Sequence, residues 1–270
     1  GLPYSLSTSM AEWFSGANHS WAMYPGLSQG CMETLKAHGT PEQKKIYLEK
    51  LVEGSWTGTM CLTEPHCGSD LGMLKCKAEP AEDGTYKLTG TKIFISAGEH
   101  DMSDNIVHIV LARLPDAPAG TKGISLFIVP KYNVDADGNI TDRNTVKCGS
   151  IEHKMGIKGS ATCVMNFDAA NAILIGEPNR GLNCMFVFMN MARIGTGVEG
   201  LSATEAAFQG ALGGDLVIGG GIKSSTAGTV TGCSLFDSGC FAQIIGTGSR
   251  ATQNGVTDQF DGEYLVFKFK

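Results

Sequence analysis

The sequence predicts an α+β protein: a helical segment, a central antiparallel β-barrel or sandwich, the start of a second helical domain, and a glycine-rich tail with short strands. Three observations carry that reading. Apolar residues recur at helical spacing up to Val52, and from Ser55 the pattern turns to short alternating runs separated by turns. Helical spacing returns after Glu177, and twelve of the 36 glycines then crowd behind Ala211. Four segments follow: 1–54, 55–170, 171–212 and 213–270.

In the first segment Met10, Trp13 and Phe14 give a helix its apolar face. A second helix runs from Asn18 to about Lys36, with Pro25-Gly26 as its expected interruption. Thr40-Pro41-Glu42-Gln43 is a helix start. Thr40 caps, Pro41 suits the first turn, and Gln43 completes a capping box. Tyr47, Leu48, Leu51 and Val52 form the stripe of that helix, and Gly54 ends it.

Eight strands are expected in the second segment: Trp56–Thr63, Leu74–Glu79, Thr85–Leu88, Lys92–Ala97, Ile106–Arg113, Gly123–Pro130, Val146–Cys148 and Thr162–Phe167. Turns separate them at Asp83-Gly84, Pro115 to Gly120 and Asp137-Gly138. Short strands with regular turns imply a barrel or sandwich. Lys154 to Ser160 forms a basic loop, suited to CoA phosphates or simply solvated.

A helix then begins near Gly181, with Leu182, Met185, Phe186, Met189 and Ile194 at helical spacing. Gly195-Thr196-Gly197-Val198-Glu199-Gly200 matches the spacing of a dinucleotide loop. It follows a helical pattern rather than a strand, so it reads as close helix packing. In the tail, short strands are expected at Leu216–Ile218, Phe241–Ile245 and Tyr264–Lys270.

A net charge of −6 and a pI near 5.5 argue against nucleic acid as a partner. No apolar run is long enough to span a bilayer. The chain starts at Gly1 without a charged-then-apolar leader, which suggests a processed chain or a fragment, and the expected location is cytoplasmic. Nine scattered cysteines without a CxxC pair read as reduced, mostly buried thiols, and the six histidines show no metal-ligand spacing.

The stretch from Met60 to Asp70 is the strongest candidate for chemistry. An apolar run, Met60-Cys61-Leu62, passes through Thr63 and breaks at Pro65, which presses Glu64 toward an extended conformation. Gly68 permits close backbone approach, and the hydroxyls of Thr63 and Ser69 with free amides suit a polar, planar or phosphorylated ligand. An ordinary surface turn fits the same residues. In a second stretch, Gly90 to Gly98, regular alternation places Phe94 and Ser96 on one strand face. A ring beside a hydroxyl suits a flat aromatic cofactor; plain sheet packing also accounts for the pair.

Together the two stretches resemble the acyl-CoA dehydrogenase family. The resemblance rests on Thr63-Glu64-Pro65, Gly68-Ser69-Asp70, Thr89-Gly90, Lys92, Phe94 and Ser96. The wording Ser96-Ala97-Gly98-Glu99-His100-Asp101 and Lys154 to Ser160 is similar to the long-chain subgroup that includes 3-methylmercaptopropionyl-CoA dehydrogenase. The resemblance covers roughly residues 1–211. It implies FAD as cofactor, an acyl-CoA substrate, an electron-transfer flavoprotein or similar acceptor, and a homo-oligomer if the protein is complete. It implies that 1–54 is the remainder of an N-terminal helical domain, 55–170 the flavin- and acyl-CoA-binding β-domain, and 171–212 the start of a C-terminal helical domain.

By that resemblance Met60, Cys61, Leu62 and Thr63 line the flavin ring, with Thr63 at its pyrimidine edge. Gly68 belongs to the same turn, and Ser69 serves the pyrophosphate and the substrate chain. Phe94 packs on the ring, Ser96 bonds near N5, and Arg193 matches a recurrent arginine near the active site. The family's catalytic carboxylate has no assigned counterpart. The position before Arg193, which some members use, is Ala192, and the pattern assigns no role to Glu199 or Glu205. Two rivals stand beside the flavoenzyme: a fragment whose β-domain folds without catalysis, and an interaction module formed by the glycine-rich tail.

Overall fold

The computed structural model describes residues 3–212 and, beyond them, five short segments, 217–219, 240–247, 251–253, 256–258 and 263–268. Two compact units emerge. One takes in Gly1–Trp21, Lys154–Lys158 and Thr196–Lys270; the other takes in Ala22–His153 and Gly159–Gly195.

The helical elements are α1 (Tyr4–His38), α2 (Pro41–Gln43), a π-helical turn at Lys44–Leu48, α3 (Glu49–Glu53) and α4 (Gly181–Leu212). α1 breaks at Asn18, where the second helix is expected to begin and where a φ of −157° is non-helical, while the interruption expected at Pro25 is absent and the helix carries through it. Asn18 acts as a cap there, its Oδ1 accepting the Trp21 amide at 3.0 Å. Thr40 and Gln43 form the expected capping box. Gly54 closes α3 at φ +80°, a conformation that costs glycine little. The π turn shifts the helix face. Tyr47 and Leu51 are buried, while Val52, expected in the stripe, is exposed.

In the first unit the Phe14 and Trp21 rings meet edge-on at 5.6 Å. Ser202 Oγ donates to Glu12 O at 2.7 Å, and Gly16 leaves room for that hydroxyl. Trp13, Leu201 and Phe208 remain exposed. Three of its strands form an antiparallel sheet: β10 (Val217–Gly219), β14 (Glu263–Lys268) and β11 (Cys240–Thr247). β12 (Ala251–Gln253) and β13 (Val256–Asp258) form a hairpin. The three tail strands expected from sequence are thus matched in backbone, while Leu216, Phe269 and Lys270 lie outside the described residues.

The second unit is built on β1 (Trp56–Cys61), β2 (Lys77–Pro80), β3 (Tyr86–Ser96), β4 (Asn105–Arg113), β5 (Ile124–Pro130), β8 (Val146–Ile151) and β9 (Thr162–Ile175). β4 pairs antiparallel with β5, β5 with β9, β9 with β3, and β3 with β2. Lys77 of β2 returns to Arg113 of β4 and closes the ring. β8 pairs antiparallel with β9, and β6 (Tyr132–Val134) with β7 (Ile140–Arg143) forms a hairpin around Gly138, where only a turn is expected from sequence. β1 pairs with β4 in parallel, so the sheet is not purely antiparallel as expected.

The segments Thr85–Leu88 and Lys92–Ala97, expected as two strands, are one. Gly90 at φ +152° carries the chain through a register shift, and a side chain there would collide with Cys76. β4 and β5 are apolar runs buried almost throughout, as strands covered on both faces must be. α1 lies against β1, where the Gly58 amide donates to Ser28 Oγ at 3.0 Å. On α4 the buried apolar side chains are Cys184, Met185 and Phe188. Phe186 and Ile194, expected in the apolar stripe, are exposed.

Candidate functional site at the barrel seam

β1 and β3 share no ladder, and the gap between them is where the two candidate stretches meet. β1 ends at Cys61. Pro65 cannot continue a ladder, so the chain turns at Glu64–Cys67, closed by Glu64 N–H to Cys67 O at 2.9 Å and Cys67 N–H to Glu64 O at 3.0 Å. Across the gap the Ile93 amide donates to Thr63 O at 2.9 Å. Lys92 Nζ donates to Leu62 O at 2.9 Å and to Glu64 Oε1 at 2.9 Å.

This pair is interior: Lys92 is 0% exposed and Glu64 3%. The carboxylate also accepts the amides of Lys75 at 2.8 Å and Cys76 at 3.0 Å. Burial works against the charged carboxylate, but the Lys92 ammonium and the two amides outweigh it and hold Glu64 below the usual range. Lys92 belongs to the motif, yet its burial and its partner were not foreseen. The available signal was a lysine in an otherwise apolar strand, matched to an acid in the other stretch.

Around this join several polar groups are left unused by the chain. The hydroxyls of Thr63, Ser69 and Ser96, and the amides of Gly68 and Ser69, have no hydrogen-bond partner among the described residues. Met60, Leu62, Thr63 and Ser96 are half-buried, and Cys61 is fully buried. Burial, first, pushes the Cys61 thiol up to about 12, so it packs beneath the strand as an inert thiol. A Cβ at Gly68 would meet only Thr63 Cγ2, at an ordinary 3.5 Å. The chain's own packing therefore does not demand glycine there.

Phe94 departs from the expected alternation. Its φ is +60°, β3 shifts register between Lys92 and Ile95, and the ring is 59% exposed. The bulge interrupts the pleat, so the two-residue rule that would place Phe94 and Ser96 on one face no longer applies. A bulky residue in the left-handed region is strained and persists only where its surroundings hold it.

Arg113 braces the loop after Ser69. Its guanidinium donates to Leu74 O at 2.8 Å, Gly72 O at 2.6 Å, Gly120 O at 2.8 Å and Pro118 O at 3.1 Å. The Glu99-His100 motif is structural. Glu99 pairs with Lys131 and with Arg143 at 3.0 Å. His100 Nδ1 accepts the Met102 amide at 3.2 Å, which leaves Nε2–H to donate to Thr57 Oγ1 at 3.1 Å. In the loop from Lys154 to Ser160, Met155 is exposed and Ile157 is left-handed at φ +45°. Glu64, His66 and Cys67 each place a possible ligand atom within 4.8 Å of the others. Both Glu64 oxygens are already engaged and His66 Nε2 faces Met73 O at 3.1 Å, so the group serves the turn.

Arg193 is exposed on α4, and Nη1 donates to Asn190 Oδ1 at 2.9 Å, one turn back. No hydrogen bond or ion pair among the described residues joins it to the seam. Glu205 accepts Gln209 Nε2 at 2.7 Å, and Glu199 lies 3.8 Å from His19. No helix among the described residues is long and apolar enough to cross a membrane.

Residues 59–170 match the family model of the acyl-CoA dehydrogenase middle domain. The chain is 49% identical over 212 residues to 3-methylmercaptopropionyl-CoA dehydrogenase of Ruegeria pomeroyi, a match covering 78% of this chain and 36% of the relative. The chain thus spans about a third of the length of the curated relatives it matches most strongly. Among solved structures it is similar to butyryl-CoA dehydrogenase of Megasphaera elsdenii, at TM-score 0.65 and 29% identity over 76% of this chain and 51% of that one. It is similar as well to an acyl-CoA dehydrogenase of Bacillus anthracis complexed with FAD, at TM-score 0.65 and 31% identity, covering 77% of this chain and 33% of that one.

Proposed function

Since the chain belongs, through residues 59–170, to the acyl-CoA dehydrogenase family, we propose that it is the FAD- and acyl-CoA-binding part of an enzyme that introduces an α,β double bond into an acyl-CoA thioester. The observation that carries this reading is the join of Thr63 to Ile93 at the seam, with an exposed Phe94 ring beside it and unpaired polar groups on the Thr63 to Ser69 turn. A flat ring needs a surface to pack on and donors at its edge, and a pyrophosphate needs free amides and hydroxyls. Residues 55–170 are the binding domain in this reading, flanked by helical portions at 1–54 and 171–212.

When bound, FAD supplies the hydride-accepting chemistry at flavin N5. Met60, Leu62 and Thr63 bind along the ring, and Thr63 orients its polar edge. Phe94 packs against the ring and excludes water from it. The Ser69 hydroxyl and the neighbouring amides hold phosphate oxygens. By the same likeness Arg193 serves the acyl-CoA substrate and Ser96 bonds near the reacting edge of the flavin. The acceptor of the electrons is an electron-transfer flavoprotein or similar protein, and the assembled enzyme is a homo-oligomer.

Proton abstraction needs a carboxylate beside the substrate α-carbon. Ala192 cannot supply one, and no carboxylate among the described residues is assigned that role, so in this reading the chain binds FAD without turning over. The test is the visible spectrum of the purified chain on titration with FAD, followed by anaerobic addition of a short and a long acyl-CoA. The expected result is saturable FAD binding with a flavin band that acyl-CoA does not bleach. Bleaching would reveal a base in the chain and overturn the binding-only assignment. No binding of FAD would overturn the cofactor assignment itself.

A further inference from the structure

We propose that the Lys92–Glu64 pair is a positioning device: it latches β1 to β3 across the open seam and sets the geometry of the Thr63–Phe94 shelf. The consequence for cofactor binding rests on the function proposed above; the latch itself rests on geometry alone.

Four segments converge on the two side chains. Lys92 is on β3 and reaches Leu62 O, just beyond the end of β1. Glu64 sits in the turn that follows and takes the amides of Lys75 and Cys76 on the way into β2. With no ladder between β1 and β3, the backbone bond from Ile93 to Thr63 has no flanking rungs to support it. The buried ammonium supplies that support one residue away, through a charge-assisted bond to the preceding carbonyl.

The strain at Phe94 sits next to the same anchor. Lys92 and Ile93 are fixed to the turn, Ile95 is back in register with Cys163, and the register shift between them is where Phe94 adopts φ +60°. A buried ion pair is weak evidence of stability, because desolvation offsets most of the attraction, whereas its directional bonds can select one arrangement of the chain. Here the arrangement selected is the one that presents the Phe94 ring and leaves the Thr63 hydroxyl unpaired.

The experiment compares the wild-type chain with Lys92→Met, Glu64→Gln and the double variant. Three readouts are taken: thermal unfolding, hydrogen exchange of the Ile93 amide, and FAD affinity by titration. A single variant leaves one group buried without its partner and lowers Tm sharply. The double variant removes both charges and recovers most of the Tm, which keeps the comparison usable if a single variant fails to fold. The expected result is that the double variant still exchanges the Ile93 amide at least tenfold faster and binds FAD at least tenfold more weakly. Unchanged Ile93 exchange in the folded double variant would overturn the latch. Faster exchange with unchanged FAD affinity would overturn its role in presenting the shelf to the cofactor. Should wild type bind no FAD at all, the functional reading falls, and Ile93 exchange alone decides whether the pair sets the seam.

Discussion

At the barrel seam a lysine that is 0% exposed meets a carboxylate that is 3% exposed, and every oxygen of that carboxylate has a donor. On α4, Arg193 lies in solvent with a single hydrogen bond, to a residue one turn away on the same helix. Glu64 and Lys92 belong to the motif, and Arg193 is matched separately to an arginine expected near the same site. The seam is complete within the chain: its geometry follows from contacts the described residues make among themselves. The α4 surface is not, because among the described residues the guanidinium is held only by Asn190 on its own helix. The lesson is that the two parts of the proposed site differ in how far the described residues fix them: the seam is held by its own contacts, whereas Arg193 is tied only to its own helix.

The largest expected effect breaks the seam. Lys92→Met strands Glu64 in the interior, and loss of one partner of a buried pair costs about 3–5 kcal/mol of stability. Denaturant unfolding measures it, and a loss below about 1 kcal/mol would place the pair with solvent-exposed bridges instead.

The next effect is on pH dependence, in the same barrel. His108 is fully buried; Nδ1 lies 2.7 Å from Thr59 Oγ1 and Nε2 has no partner. Burial, above all, lowers its pKa to about 3 from 6.5. The folded form stays neutral while the unfolded form takes up a proton below pH 6.5. Stability is therefore full above that pH and falls on acidification, by about 1.4 kcal/mol per pH unit at most, until pH reaches about 3. His108→Asn should flatten the slope of unfolding free energy between pH 6 and 4, over roughly that window; an unaltered slope would refute the assignment.

A smaller effect sharpens the contrast between stability and binding. Phe94→Gly removes a strained left-handed side chain, so the unliganded chain gains about 1 kcal/mol while FAD binding weakens. Loss of stability instead would mean that the exposed ring packs on the protein itself. The smallest effect belongs to α4. Arg193→Ala changes stability by less than about 0.5 kcal/mol, as exposed substitutions do. A larger loss in chemical unfolding would show that the arginine is anchored after all.

Much of this was legible in sequence where the determining contacts are local. Thr40 and Gln43 lie three residues apart and close a capping box whatever surrounds them. Gly54 ends a helix through its own φ, and Pro65 breaks the strand through its own ring. The two candidate stretches were recognisable as a pair because their motif is specific in order and spacing. Less was legible where one local signal competes with another. The helix boundary at Asn18 was legible and the structure has it there, but Pro25 looked like a second breaker and the helix carries through it. Phe94 and Ser96 looked like neighbours on a regular pleat, and no propensity signals a bulge at a phenylalanine.

The sequence by itself determined the change from helix to strands and back to helix, the turn chemistry at Thr63 to Asp70, and the family pattern those residues match. Each depends on periodicity or on interactions within a few residues. Only the tertiary structure decided that β1 joins the barrel in parallel, that β3 runs unbroken through Gly90, and that Lys92 turns inward to a carboxylate 28 residues earlier. A buried charge is tolerable only where a partner and the remaining donors are already in place. That condition exists only once the barrel has closed.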